Sequence, residues 1–264
     1  MTAQALRVTL VQTELFWHDP PANRKAFEHK LLPLAGQTDL IVLPEMFTTG
    51  FTMSATEVAE PASGETVQWL REMAGKVNAV IAGSVVTREA ENCFNRLIWM
   101  RPDGTHASYD KRHLFRMARE HEHYAAGRSV LIVEHAGWKI CPLVCYDLRF
   151  PVWSRNRLGT QSGYDLLLYV ANWPEQRRNA WQTLLRARAI ENLSYCVGVN
   201  RVGKDENGIT YTGDSAAIDY LGHSITESST EPFVATVSLD HAALVAFRQK
   251  FPAHLDADEF VVEK

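Results

Sequence analysis

Cysteine is scarce in this chain, with four residues at positions 93, 141, 145 and 196, and no two of them form a C-x-x-C pair or a zinc-ribbon spacing. A chain of 264 residues can bury a sizeable core without disulfide staples. The thiols therefore read as reduced, and the protein as cytoplasmic. Long apolar runs are also missing. No stretch reaches the roughly 18 apolar residues of a membrane span, because each breaks at Pro, Asp, Asn or Trp. The opening MTAQALRVTLVQTEL has no charged flank leading into a long apolar stretch and a small-residue cleavage site, so it reads as a first strand and not a leader. There is no excess of one charge: the net value is −4, which leaves no electrostatic footprint for nucleic acid or an anionic membrane. Without low-complexity tracts, linkers or a fixed repeat, residues 1–264 are expected to form a single domain.

What is present is ordinary for a globular enzyme, 46% hydrophobic and 22% charged. Short apolar runs alternate with longer amphipathic ones. Strands are expected at Leu6–Thr13, Asp39–Pro44, Ala79–Thr87, Phe94–Met100, Leu131–His135 and Lys139–Val144, and later at Asp165–Ala171, Tyr195–Arg201, Ser215–Tyr220 and Phe233–Leu239. Runs such as LIVLPE and DLLLYVAN are apolar on both faces, as in strands buried between two layers. Helices are expected at Ala22–Ala35, Glu65–Asn78, Val152–Leu158, Arg177–Leu193 and Ala242–Gln249. In the second of these, Val67, Leu70, Met73, Ala74 and Val77 form one apolar stripe. The alternation predicts an α/β sandwich, two mixed sheets packed together with helices outside.

Three chemically useful residues lie just past apolar segments, where loops converge over the ends of strands. Glu45 follows LIVLP, Lys111 follows Ser108-Tyr109-Asp110, and Cys145 follows ICPLV. Each has a plain alternative. A free cysteine is ordinarily a small buried hydrophobe, which suits Cys93, Cys141 and Cys196. A carboxylate past a strand is ordinarily solvated or caps a helix, and Lys111 could belong to a solvated basic patch. Cys145 differs because the turn-forming Tyr-Asp-Leu-Arg follows at once. That places the sulfur at a strand-to-helix elbow, where unpaired backbone N–H groups can face a substrate oxygen. Amide cleavage needs a nucleophile, a group that takes and returns a proton, and a positive donor for the oxyanion, and these three side chains supply that set.

The blocks LPEMFTTGF (43–51), YDKRHLF (109–115), LVCYDLRFP (143–151), ANW (171–173) and ARAIENLSYCVGVNRVG (187–203) run through most of the chain. In this order they resemble the nitrilase, or carbon–nitrogen hydrolase, superfamily. PEMFTTGF, YDKRHLFRMAREHEHYAAG and VCYDLRFPVWSRN look more narrowly like its bacterial omega-amidase branch. The resemblance implies an α-β-β-α sandwich, completed into four layers across a homodimer, and an amidohydrolase acting on linear amides without metal or organic cofactor. It implies a Glu45–Lys111–Cys145 triad. Glu45 would be the base and then the acid, and Lys111 and the Tyr146 N–H would hold the oxyanion. Glu120, upstream of Gly127, would orient Lys111 or the leaving group. Many relatives carry an acidic residue after Arg-Phe-Pro, where this chain has Val152-Trp153, a departure that touches dimer contacts or pocket shape and leaves the triad intact.

The implied substrates are short dicarboxylate monoamides such as 2-oxoglutaramate and 2-oxosuccinamate. Their far carboxylate calls for a cation, with Arg116, Arg119 and Arg149 as candidates and Phe115, Tyr124 and Trp173 as walls. Nitriles, N-carbamoyl compounds and aliphatic amides are the other substrate classes of such a site, and a non-catalytic binding protein is a further alternative. A metal hydrolase is suggested by His113, His121 and His123, but their spacing lacks further ligands.

Overall fold

The computed structural model describes residues 3–158 and 163–262. The chain opens with β1 (Leu6–Gln12), α1 (Pro20–Leu31), β2 (Leu40–Val42), α2 (Ala55–Val58), β3 (Glu60–Pro61) and α3 (Glu65–Val77). A hairpin of β4 (Val80–Glu89) and β5 (Asn92–Met100) follows, then β6 (His106–Asp110). Next come β7 (Val133–His135), β8 (Trp138–Val144), α4 (Pro151–Ser154), β9 (Leu166–Ala171), α5 (Arg178–Glu191) and β10 (Tyr195–Asn200). A small hairpin, β11 (Val202–Lys204) and β12 (Thr210–Thr212), precedes β13 (Ala216–Ile218), β14 (Phe233–Leu239) and α6 (His241–Lys250).

The first sheet runs β14-β1-β2-β4-β5-β6, with β3 beside β4, and the second runs β13-β10-β9-β8-β7. Both mix parallel and antiparallel pairs: β1, β2, β3 and β4 run one way with β14 and β5 opposite and the edge strand β6 reversed again, while β8, β9 and β10 are parallel with β7 and β13 opposite. Strand side chains alternate between faces, and that alternation builds the layers. Val8, Leu10, Leu40, Val42, Val80, Ala82, Leu97 and Trp99 turn inward to pack with Ile140, Val144 and Leu168 of the second sheet. Their neighbours Val11, Ile41, Ile81, Ile98 and Met100 turn outward onto Phe27 and Leu31 of α1 and Leu70, Met73 and Val77 of α3. On the far side, Trp181, Leu185 and Ala189 of α5 join the second sheet. The result is the expected α-β-β-α order.

Helix limits differ from the sequence expectations for local reasons. α1 begins two residues early, since Pro20 and Pro21 fill a first turn whose N–H groups need no partner and the Asp19 side chain accepts from the Ala22 N–H. The helix expected over 152–158 is a single turn, Pro151–Ser154. Arg155 instead donates to the Glu191 carbonyl, and the Asn156 amide binds the carbonyls of Tyr164 and Asn192. Those long-range bonds draw the backbone out of the helix. The β11–β12 hairpin has no counterpart among the expected strands.

Candidate active site

Four side chains meet where the two sheets present their strand ends. Glu45 lies three residues past β2, where the Leu43 N–H bonds to Ala82, and Met46 and Phe47 donate to the side chain and carbonyl of Ser84. Met46 sits in the left-handed region, φ 43°, so the chain turns sharply just after the carboxylate. Lys111 follows β6. Its N–H donates to Asn95 of β5, and its carbonyl accepts from Gly127. A Cβ at Gly127 would collide with the Asp110 carbonyl, so glycine is required for this close approach. Glu120 opens a 3-10 turn and accepts the Phe115 N–H at 2.6 Å.

Cys145 begins a 3-10 turn, Cys145–Arg149, directly after β8 and is itself left-handed, φ 44°. Asp147 holds this elbow. One of its oxygens accepts from Val144 N–H and Tyr109 O–H, the other from the backbone N–H of His113 and faces His113 Nδ1 at 2.8 Å. The Tyr146 N–H lies in the first turn of this element, where N–H groups have no intrahelical acceptor.

The charges are buried together. Lys111 Nζ lies 2.9 Å from Glu45 Oε1 and 2.9 Å from both oxygens of Glu120. Glu45, Lys111 and Glu120 are each at most 1% exposed, and Cys145 is 8% exposed. Asn95 donates to Glu45 Oε1 at 2.7 Å, and the Asn172 N–H donates to Glu45 Oε2 at 2.8 Å. The Asn172 side chain also donates to the Glu45 carbonyl, so the glutamate is gripped at both ends. Burial works against the Lys111 charge, but Glu120 and Glu45 outweigh it and raise its proton affinity above the ordinary lysine range. Burial raises the Glu120 pKa, with Lys111 opposing and Glu45 reinforcing the shift. The Cys145 thiol is pushed well up by burial first and by Glu45 second, against the pull of Lys111.

These groups face a cavity of about 370 Å³ onto which Cys145, Lys111 and Asn172 open, at the small end of ligand pockets. Phe115, Tyr146, Arg149 and Trp173, all expected near the site, line it. The Arg149 guanidinium lies 5.1 Å above the Trp173 ring. Arg177, which no sequence signal singled out, stands 5.1 Å above Phe115. Neither arginine forms an ion pair among the described residues. The β11–β12 hairpin adds Asp205, Asn207, Ile209 and Tyr211 to the lining. Asp205 is already engaged: it accepts from the N–H groups of Asn207 and Ile209 and from the Tyr211 hydroxyl.

Three expected substrate contacts lie elsewhere. Arg116 is exposed and lines a separate hollow with Arg112, His113 and His121, because the Phe115–Glu120 bond turns the following residues outward in a 3-10 turn. Arg119 is exposed and pairs with Glu122. Tyr124 is not a wall of the cavity. It is buried with Met46, Val86 and Cys93, and its hydroxyl donates to the Thr52 carbonyl. Of the three histidines, His113 is bound to Asp147 and stacked on Phe150, and His121 lies beside Glu122. Among the described residues no group of three or more His, Cys, Asp or Glu side chains is placed to hold a metal.

The profile of the carbon-nitrogen hydrolase family matches residues 7–249. The omega-amidase YafV of Yersinia enterocolitica is 50% identical over 260 residues, 97% of this chain and 98% of that protein. The 2-oxoglutaramate amidase of Bacillus subtilis strain 168 is 30% identical over 252 residues, 94% and 96% of the two chains. The crystal structure of a CN-hydrolase superfamily protein from Xanthomonas campestris, which carries an arsenic adduct in its active site, superposes with a TM-score of 0.96 at 52% identity, covering 98% of this chain and 99% of that one. With a buried Glu–Lys–Cys cluster at the strand ends of an α-β-β-α sandwich, and a family match across nearly its whole length, this chain belongs to the carbon-nitrogen hydrolases.

Proposed function

We propose that the protein is an omega-amidase, which hydrolyses the terminal amide of short dicarboxylate monoamides such as 2-oxoglutaramate and 2-oxosuccinamate to the dicarboxylate and ammonia. One observation carries this reading: the cavity is lined by Cys145 and Lys111 of the buried cluster and by two arginines without ion partners among the described residues. An unpaired guanidinium on an aromatic face suits a carboxylate, and Arg149 and Arg177 are assigned to that end of the substrate, with Phe115 and Trp173 beneath them.

Glu45 takes the Cys145 proton as sulfur attacks the amide carbon, so the thiolate exists only while the new C–S bond forms. The negative charge moves to the carbonyl oxygen, held by the Lys111 ammonium and the Tyr146 N–H. A lost donor in such holes costs about 2.7–4 kcal/mol. Glu45 returns the proton to the departing nitrogen, ammonia leaves, and an acyl thioester remains. Water, deprotonated by Glu45, then attacks the thioester; the C–S bond breaks, the sulfur takes that proton back from Glu45, and the carboxylic acid is released. Glu120 holds Lys111 in place throughout.

The test is ammonia release from a panel of ω-amides, nitriles, N-carbamoyl compounds and neutral aliphatic amides, with Cys145→Ala alongside. Preference for the ω-amides, lost in Cys145→Ala, is expected. Equal turnover by both proteins would refute the cysteine route, and preference for another substrate class would refute the omega-amide assignment. The chain is further assigned to a single 1–264 unit that works as a cytoplasmic homodimer. The family resemblance supports the dimer, and four free cysteines support the compartment. No helix among the described residues is long and apolar enough to cross a membrane. Light scattering at micromolar concentration, expected to give twice the chain mass, tests the dimer.

A further inference from the structure

Asn95 lies in the middle of β5 and is fully buried, an expensive place for an amide unless it is well used. Its carbonyl accepts the backbone N–H of Lys111 at 3.0 Å. Its side-chain Nδ2 lies 2.7 Å from Glu45 Oε1 and 3.4 Å from Glu120 Oε1. Its own Oδ1 has no partner among the described residues. One residue thus anchors Lys111 through the backbone and donates to Glu45 through the side chain.

A carboxylate oxygen has two in-plane lone-pair directions. Glu45 Oε1 already receives two donors, Lys111 Nζ at 2.9 Å and Asn95 Nδ2 at 2.7 Å. Glu45 Oε2 accepts the Asn172 N–H, which leaves one direction for the neighbouring Cys145 thiol. We propose that Asn95 is a positioning residue that, together with Lys111, occupies Glu45 Oε1 and so confines the catalytic proton to Oε2. The proton leaves Cys145 Sγ for Oε2, and the same oxygen hands it to the departing ammonia, so atoms and charge balance within one thiol–carboxylate pair. Without the Asn95 donor, Oε1 becomes a second proton site and the carboxylate binds its proton more tightly. Glu45 then stays protonated to higher pH and cannot take the thiol proton.

This inference rests on Glu45 and Cys145 acting as the proton acceptor and nucleophile proposed above. It is tested with two near-isosteric variants of the full-length protein, Asn95→Leu and Asn95→Asp. For each, kcat/KM for 2-oxoglutaramate and the rate of Cys145 alkylation by iodoacetamide are measured across pH, beside a thermal melt. Asn95→Leu is expected to lower kcat about 10- to 100-fold, the size of one lost hydrogen bond to a charged group, with KM within about two-fold. The acid limb of both pH profiles should move to higher pH. Asn95→Asp should act in the opposite sense. Its introduced carboxyl can donate to Oε1 only while protonated, so activity should persist on the acid side and fall away as pH rises. If Asn95→Leu does not fold, the profile of Asn95→Asp decides alone. Folded variants whose pH profiles superimpose on the wild type would overturn the proposal, even with kcat reduced, because that is the signature of a purely structural residue. A Cys145→Ala protein that still releases ammonia at the wild-type rate would instead refute the nucleophile itself, an outcome separable from any result at Asn95.

Discussion

The buried cluster behind the cavity and the arginines on its lining are built differently. In the inner cluster Glu45, Lys111 and Glu120 are at most 1% exposed, and each carboxylate is held by at least two donors. On the lining Arg149 and Arg177 are half-buried and rest on aromatic rings without an ion partner among the described residues. The inner arrangement is costly. Gathering three ionisable groups out of water recovers at best a fraction of their hydration, and the cluster is tolerated because a desolvated, pre-oriented donor acts strongly on a developing oxyanion. The arginines keep contact with solvent, so their cost is low and their charge remains available to a ligand. In the proposed reading, reaction type resides in the first region and choice of substrate in the second.

The sharpest way to break that contrast is at the sulfur. Cys145→Ala should fold with a melting temperature near the wild type and lose at least about 10⁴-fold in turnover, as removal of a nucleophile does elsewhere; an ammonia assay with matched circular dichroism checks it. Glu45→Gln should fail in both half-reactions, and single-turnover kinetics would separate acylation from deacylation.

Lys111→Met attacks the charge balance itself. Turnover should fall about 10²- to 10³-fold through the missing oxyanion donor, and stability by about 3–5 kcal/mol because two buried carboxylates lose their counter-ion. The pH dependence has a definite sign. Glu120 already has a raised proton affinity through burial, so its contribution to stability is fully present below its unfolded value of about 4.3 and is lost as pH rises through the folded one. Removing the ammonium raises that folded value further. The stability deficit of the variant should therefore be smaller at pH 5 than at pH 8, as read from urea midpoints.

The outer end should respond more gently and in a different parameter. Arg149→Gln and Arg177→Gln should each raise KM for 2-oxoglutaramate roughly ten-fold, the scale of a charge-assisted hydrogen bond. Turnover of a neutral aliphatic amide should be untouched, and a panel of paired substrates reads the difference. Smallest of all are the two residues outside the cavity. Arg116→Ala should leave kcat/KM within about two-fold, and Tyr124→Phe should cost only about 1 kcal/mol of stability through its bond to Thr52.

The legibility of these two regions in the sequence follows the same division. Glu45, Lys111 and Cys145 each lie within a few residues of a buried strand end and within a recognisable block, and strand ends are set by local apolar patterning. Asn95 was not legible, because it sits mid-strand among residues that read as ordinary β structure. Its role appears only when the loop bearing Glu45, 50 positions earlier, arrives beside it. Arg177 and the β11–β12 hairpin were missed for a similar reason: their neighbours in the site, Phe115 and Cys145, are far away in the chain. Arg116 and Tyr124 were misplaced because side-chain direction in the 112–124 loop is decided by one bond from Phe115 to Glu120, which composition does not reveal.

The sequence by itself determined the alternation of strands and helices, the sandwich they form, and the placing of Glu45, Lys111 and Cys145 just past strand ends. Those are properties of periodicity and of short contiguous blocks. Only the tertiary structure decided which oxygen of Glu45 is free, which arginines face the cavity and which are turned away. Those properties depend on distances between segments remote in the chain, and hydrogen-bond directions are set only once the two sheets have packed.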